Sequence, residues 1–225
     1  YDKNGNLTAD GTRTYTWNYR NKVNTVVKSG TTHTYKYNQN GERISTSNGT
    51  TTTVYPNKLY NTDGTKTTKH IFAGDGLIAT VEADSTATST YYLHTDHLTG
   101  SNVVSNEAGS MEQLVAYYPF GGIRIDDKKG SFDEQRKFTG QEYDTDTNLH
   151  YYVQRYYNQD IGRFVSEDPV FLDSPESILE NPQLLNAYSY VAHNPLIYVD
   201  PTGEILETFS DVWHTAHDAA KTAVA

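Results

Sequence analysis

An all-β chain built from stacked hairpins is what this sequence predicts, on three observations. Tyrosine is abundant, with 19 in 225 residues, alongside Thr, Asn and Gly, whereas Leu, Ile, Val and Met are sparse. A Tyr-(Asp/Asn)-x-x-Gly frame recurs as Tyr1-Asp-Lys-Asn-Gly5, Tyr37-Asn-Gln-Asn-Gly41 and Tyr60-Asn-Thr-Asp-Gly64. Asn-Gly and Asp-Gly pairs punctuate the aromatic stretches at Asn4-Gly5, Asn40-Gly41 and Asp63-Gly64.

Each observation has a physical basis. Aromatic and β-branched side chains suit a half-buried pleated surface, and tyrosine supplies large buried area with a hydroxyl that must find a partner. Asn-Gly and Asp-Gly accept the positive φ of hairpin turns. Between them, Thr32-His-Thr-Tyr-Lys-Tyr37 has period two and places Tyr35 and Tyr37 on one face. In Tyr15-Thr-Trp-Asn-Tyr-Arg-Asn-Lys-Val23, Arg-Asn-Lys stands where the next turn is due. A lone hairpin cannot bury its aromatic face, so the units must stack on neighbours into a continuous sheet.

Composition excludes several function classes. A net charge of −10 with 18 scattered Lys and Arg residues argues against nucleic-acid binding, which needs a basic stripe. The absence of cysteine rules out disulfides and Cys-ligated zinc. No apolar run reaches the length of a membrane span, and no signal-peptide pattern opens the chain. Because it begins inside a repeat unit, the chain is expected to be a fragment whose export signal lies upstream.

The Tyr-Asp frame resembles the YD-repeat family, whose units spiral into a hollow shell. A second block is more specific. Tyr91-Tyr-Leu-His-Thr-Asp-His-Leu-Thr-Gly-Ser101 resembles the opening motif of the Rhs-associated core, with Thr99 inserted before Gly100. Tyr118-Pro-Phe-Gly-Gly122, Phe138-Thr-Gly-Gln-Glu-Tyr-Asp144 and Leu149-His-Tyr-Tyr-Val-Gln-Arg-Tyr-Tyr157 come next, in the family's order. Gly162-Arg-Phe-Val-Ser-Glu-Asp-Pro169, Leu185-Asn-Ala-Tyr-Ser-Tyr-Val191, Asn194-Pro195 and Asp200-Pro-Thr-Gly203 complete it.

This resemblance divides the chain into YD repeats over 1–85, an Rhs-associated core over 86–203, and a helical linker or start of a variable effector over 204–225. It implies that the core plugs the end of a spiralling shell that houses the protein's own C-terminal toxin. The implied setting is secreted or at the cell surface. The implied partners are that toxin, the upstream shell, an immunity protein and secretion machinery. No cofactor is expected. The alternative is a cell-surface adhesin or glycan-binding module, in which exposed Tyr and Trp faces would stack on sugars.

Candidate chemistry is concentrated late in the chain. His94 and His97 flank Asp96, but residues three apart on a strand face opposite ways, so turn-forming hydrogen bonds are expected here and not a metal site. Arg155, Asp168 and Asp200 offer two carboxylates whose pKa values a neighbouring guanidinium and burial could separate, as aspartyl catalysis requires. Resemblance to self-cleaving Rhs cores implies that Arg155 and Asp168 carry an autoproteolytic reaction, with the cut among Gly203, Glu204, Ile205 and Leu206. Asp173 and Glu167 are alternative carboxylates, and a structural ion pair is the alternative role for Arg155 and Asp168. Two departures stand out: Glu204 replaces the leucine common in cleaving members, and residues 173–182 lengthen the segment between Asp168 and Asp200. Beyond, apolar residues from Leu206 to Val224 recur at helical spacing, which predicts an amphipathic helix over 206–225 with His214 and His217 on its solvated side.

Overall fold

In the computed structural model, residues 1–74, 76–170, 182–204 and 207–208 are described. Among these, a twelve-stranded antiparallel sheet runs from β1 (Arg13–Trp17) to β12 (Ile123–Lys128), every strand pairing with its neighbours in sequence. Such a meander needs only a short turn at each reversal. One sheet thereby carries the Tyr-Asp repeats and the opening of the second motif block.

The turns explain the repeated frame. In the loops starting at Asp2, Asn18, Asn38 and Asp96, the Asx side-chain oxygen accepts the backbone N–H groups two and four residues on. The residue three positions on has positive φ in each: Gly5, Asn21, Gly41 and Thr99. The acid or amide of the frame is therefore a template for the turn, bonding its own backbone as Asx turns do. Strand alternation puts these four loops on one margin of the sheet. On the opposite margin, Asp10, Asn48, Asp63 and Asp84 accept from the residues two and three on, giving tighter turns. Asn38→Ala is expected to remove two backbone-satisfying bonds and cost about 1–2 kcal/mol. Asn38→Asp keeps those bonds but sets a second carboxylate against Glu42, so it should destabilise less at pH 4 than at pH 8; thermal melts of the two variants check this.

Two of the turns differ in detail from the others. The third repeat, Tyr60–Gly64, does not turn at its Asn: the Asn61 side chain is buried and donates to Gln135, while Asp63 templates the reversal. A turn has only just occurred before Tyr60, and the chain needs residues 60–62 as a strand before reversing again. In the Asp96 loop, Thr99 takes the positive φ, at 63°, so the inserted residue sits where the other copies place Gly or Asn. Asp96 makes the turn's bonds; His94 pairs with Ser105 Oγ at 3.1 Å, and His97 reaches the Leu196 carbonyl at 3.4 Å.

A second sheet covers one face of the first: β13 (Glu142–Asp144), β14 (Leu149–Tyr152), β15 (Arg155–Asn158) and β16 (Arg163–Phe164). Tyr15, Val23, Val26 and Tyr35 from the large sheet pack with Leu149, Tyr156 and Val165 from the small one. On the other side of the small sheet, Tyr152, Tyr157 and Phe164 meet Phe138, Tyr190 and Val191. The tyrosines of Leu149–Tyr157 thus serve both sides of a buried hairpin, as their spacing predicts. Their hydroxyls are partnered: Tyr157 donates to the Phe120 carbonyl at 2.8 Å, and Tyr152 bonds Thr139 and Tyr190. Trp17 also lies inward, donating from Nε1 to the Leu7 carbonyl. Tyr15, Trp17 and Tyr35 thus line the space between the two sheets, while Tyr1, Tyr19, Tyr92 and Tyr118 stay exposed.

Glu207–Thr208 do not form the helix expected over 206–225. They form a two-residue strand, β18, paired with β17 (Tyr198–Val199). The edge of β17 offers backbone partners that a helical hydrophobic pattern does not reveal. The rest of that stretch, with His214 and His217, lies outside the described residues, as do residues 173–181 of the 173–182 insert.

Candidate functional site

The hairpin between β14 and β15 brings the predicted residues together. Arg155, the first residue of β15, is buried with its guanidinium 3.6 Å over the Phe164 ring. Its NH2 lies 2.6 Å from Asp168 Oδ2 and 3.4 Å from Asp200 Oδ2, and its NH1 donates to the Ala187 carbonyl at 3.1 Å. Its Nε donates to the carbonyl oxygen of Gly203. One planar fork thus spans both carboxylates and the backbone of the segment expected to be cut.

Asp200 shapes that segment. Its Oδ1 accepts the N–H groups of Thr202, Gly203 and Glu204 at 3.3, 2.6 and 3.1 Å, an Asx turn that presents the Gly203 carbonyl to Arg155. Gly203 has φ of +83°, and a Cβ there would lie 2.6 Å from the Tyr152 carbonyl oxygen. Glycine is a steric requirement at this point. The Gln154 N–H holds the Thr202 carbonyl at 3.0 Å, and Gln141 Nε2 holds that of Pro201.

Burial and Arg155 act in opposite senses on both carboxylates. Burial pushes Asp200 up to about 6 against the opposing pull of Arg155. Burial also raises Asp168, again opposed by Arg155, and the same desolvation lowers Arg155 itself. Asp168 is the more accessible carboxylate, with 19% of its side chain exposed against 5% for Asp200. The arrangement can polarise a backbone carbonyl and offer a carboxylate to water beside it.

The other candidates are placed elsewhere. Glu167 accepts the Tyr188 hydroxyl at 3.1 Å beside the Gly5 turn, and is therefore engaged with the first repeat. Asp173, Ile205 and Leu206 lie outside the described residues. Among the described residues no group of three or more His, Asp or Glu side chains is placed to hold a metal ion. Sequence reasoning missed Lys22 and Gln154, which brace the site from behind; the Arg-Asn-Lys turn signal located Lys22 but said nothing of what it reaches.

The family model described as teneurin YD-shell matches residues 54–196. The chain belongs to the teneurin YD-shell family. That match joins the later repeat strands to the core block in one YD-shell segment, ending just before Asp200. A relative in Bacillus spizizenii, described as "tRNA3(Ser)-specific nuclease WapA", is 32% identical over 231 residues, covering 97% of this chain and 10% of that protein. The "Double-stranded DNA deaminase toxin A" of Burkholderia cenocepacia is 32% identical over 133 residues, covering 57% of this chain and 9% of the toxin. The same fold occurs in the crystal structure of TcdB2-TccC3 without its hypervariable C-terminal region, with TM-score 0.71 and 22% identity over 88% of this chain and 10% of that one. The YD-shell chain therefore spans about a tenth of the length of these two relatives.

Proposed function

We propose that this YD-shell segment closes a secreted shell around a C-terminal effector and cuts its own chain within residues 203–206. The observation that carries the cleavage is the Arg155 fork, which holds the Gly203 carbonyl oxygen and Asp168 with one guanidinium. The enclosing role draws support from the relatives. One is described as a tRNA nuclease and another as a DNA deaminase toxin, yet the first matches 97% of this chain and the second 57%. A segment common to proteins of different chemistry is better suited to housing an activity than to supplying it.

In the proposed reaction Arg155 polarises the carbonyl while Asp168, ionised, takes a proton from water as its oxygen adds to the carbonyl carbon. The C–N bond then breaks as that proton passes to the leaving nitrogen, giving a carboxylic acid and an amine, and the acid's proton is lost to the amine or solvent to leave a carboxylate. Asp200 fixes the turn. The test is a denaturing gel and intact mass of the natural full-length protein over a long incubation. Two fragments with a junction within 203–206 are expected, merging into one species in Asp168→Asn and Arg155→Ala. A wild-type chain that stays intact overturns the cleavage.

A further inference from the structure

Lys22 closes the Asn18 turn of the repeat sheet, and its side chain leaves the sheet for the site. Its Nζ donates to the Gln154 carbonyl at 2.9 Å and to Gln154 Oε1. Gln154 in turn donates its backbone N–H to the Thr202 carbonyl, and the next residue, Arg155, holds the carbonyl of Gly203. The same Asn18 turn is fixed to its neighbours along the sheet margin. Asn21 Oδ1 accepts from Asn4 and Asn6, and Arg20 donates to the Asn38 carbonyl. A continuous run of bonds therefore leads from the repeat turns to the backbone on either side of Gly203.

Lys22 is also coupled to the residue after Gly203. Burial and the nearby Arg20 bring its ammonium down to about 8, while Glu204 works in the opposite sense and favours the charged form. Glu204 is the residue at which this sequence departs from the leucine common among cleaving members. The Glu204 carboxylate therefore favours the charged Lys22, the form that donates to Gln154.

We infer that Lys22 is a positioning residue for the cleavage: it fixes Gln154 so that residues 202–204 stay on Arg155, and its ammonium accommodates a carboxylate at position 204. This rests on the proposed self-cleavage. It makes the reaction depend on a repeat unit more than 130 residues upstream in sequence (155 − 22 = 133).

The experiment follows cleavage rates of the natural full-length protein between pH 6 and 9.5 in the wild type, Lys22→Met, Lys22→Arg and Lys22→Met/Glu204→Leu. Lys22→Met is expected to slow cleavage by about tenfold or more, and Lys22→Arg to restore it. Adding Glu204→Leu to Lys22→Met should recover part of the rate, because the apolar residue needs no counter-charge. The wild-type rate should fall as pH rises past about 8, a limb that moves upward in Lys22→Arg and is absent in Lys22→Met. A wild-type rate in Lys22→Met, or an unchanged alkaline limb, overturns the inference. Amide hydrogen exchange at Gly203 and Glu204 in an Asp168→Asn background gives a readout that needs no cleavage. Faster exchange on Lys22→Met, reversed by Lys22→Arg, supports the positioning role even if the wild type proves uncut, whereas unchanged exchange overturns it.

Discussion

Arg43→Met is expected to destabilise the protein by about 3–5 kcal/mol, because it strands two carboxylates between the sheets. Arg43 begins β4 (Arg43–Ser47) with its side chain inward. Its NH1 bonds both oxygens of Asp144 at 2.8 Å, and its NH2 lies 2.5 Å from Glu142 Oε1. Its guanidinium stacks 4.6 Å from the Tyr55 ring and 4.4 Å from the Tyr151 ring. Burial already pushes Asp144 up to about 6 with the arginine present. Without it, Asp144 rises further in the folded state, and Glu142, which Arg43 and Arg136 hold below the usual carboxylate value against burial, moves upward too. A raised folded pKa stabilises below the unfolded value and is lost as pH rises through the folded one, so the defect should be largest at pH 8 and shrink towards pH 5. Thermal melts at the two pH values measure this. For a domain of this size, the expected fall at pH 8 is roughly 6–20 °C. A variant melting with the wild type at pH 8 would show that the ion cluster does not hold the small sheet in place.

Gly203→Ala should eliminate self-cleavage while leaving most of the fold intact. The methyl group would meet the Tyr152 carbonyl oxygen at 2.6 Å and the Arg155 nitrogen at 3.1 Å, both backbone atoms of the hairpin that forms the site. Neither can move without disturbing the aromatic cluster around Tyr152, so the 202–204 segment must shift instead. The positive φ adds roughly 1 kcal/mol of strain for alanine. A displaced Gly203 carbonyl loses the Arg155 Nε bond, and misplacement of about 1 Å is enough to cost on the order of a hundredfold in rate. The same gel assay reads the result, with circular dichroism confirming the sheets; cleavage at the wild-type rate would detach the reaction from this carbonyl.

Much of the fold was legible because its rules are local. The Tyr-Asp frame, the Gly three residues after its Asp or Asn, and alternation in Thr32–Tyr37 each encode a turn or a face within a few residues. In Tyr60–Gly64 the Asp63-Gly64 pair turns the chain as expected, and only the part played by Asn61 differs, because the preceding reversal makes residues 60–62 a strand. The site was legible only in part. Arg155 and Asp168 stand in recognisable motifs, but the value of Arg155 lies in reaching Gly203, 48 residues on. Lys22, Arg43 and Arg13 carry no such signal. Arg13 and Arg43 open their strands on the covered face, where an apolar residue is the usual occupant, and Val23 is one such example. Arg13 has a local partner in Asp10, but its second partner, Asp160, and the Asp144 partner of Arg43 are supplied more than a hundred residues later. An inward-facing arginine at a strand start was a clue in retrospect, but its partner depends on how the second sheet docks.

The short pairing of β17 with β18 bears on what a cut would accomplish. Tyr198 pairs with Thr208 and Val199 with Glu207, on either side of residues 203–206. A break between them would sever the covalent link and still leave the new end hydrogen-bonded to the shell. Two paired residues form a weak latch, readily undone by traction on the downstream chain or by a change in the shell's surroundings. Cutting and letting go would then be separate events, the first set by Arg155 and its carboxylates, the second by a ladder only two rungs long.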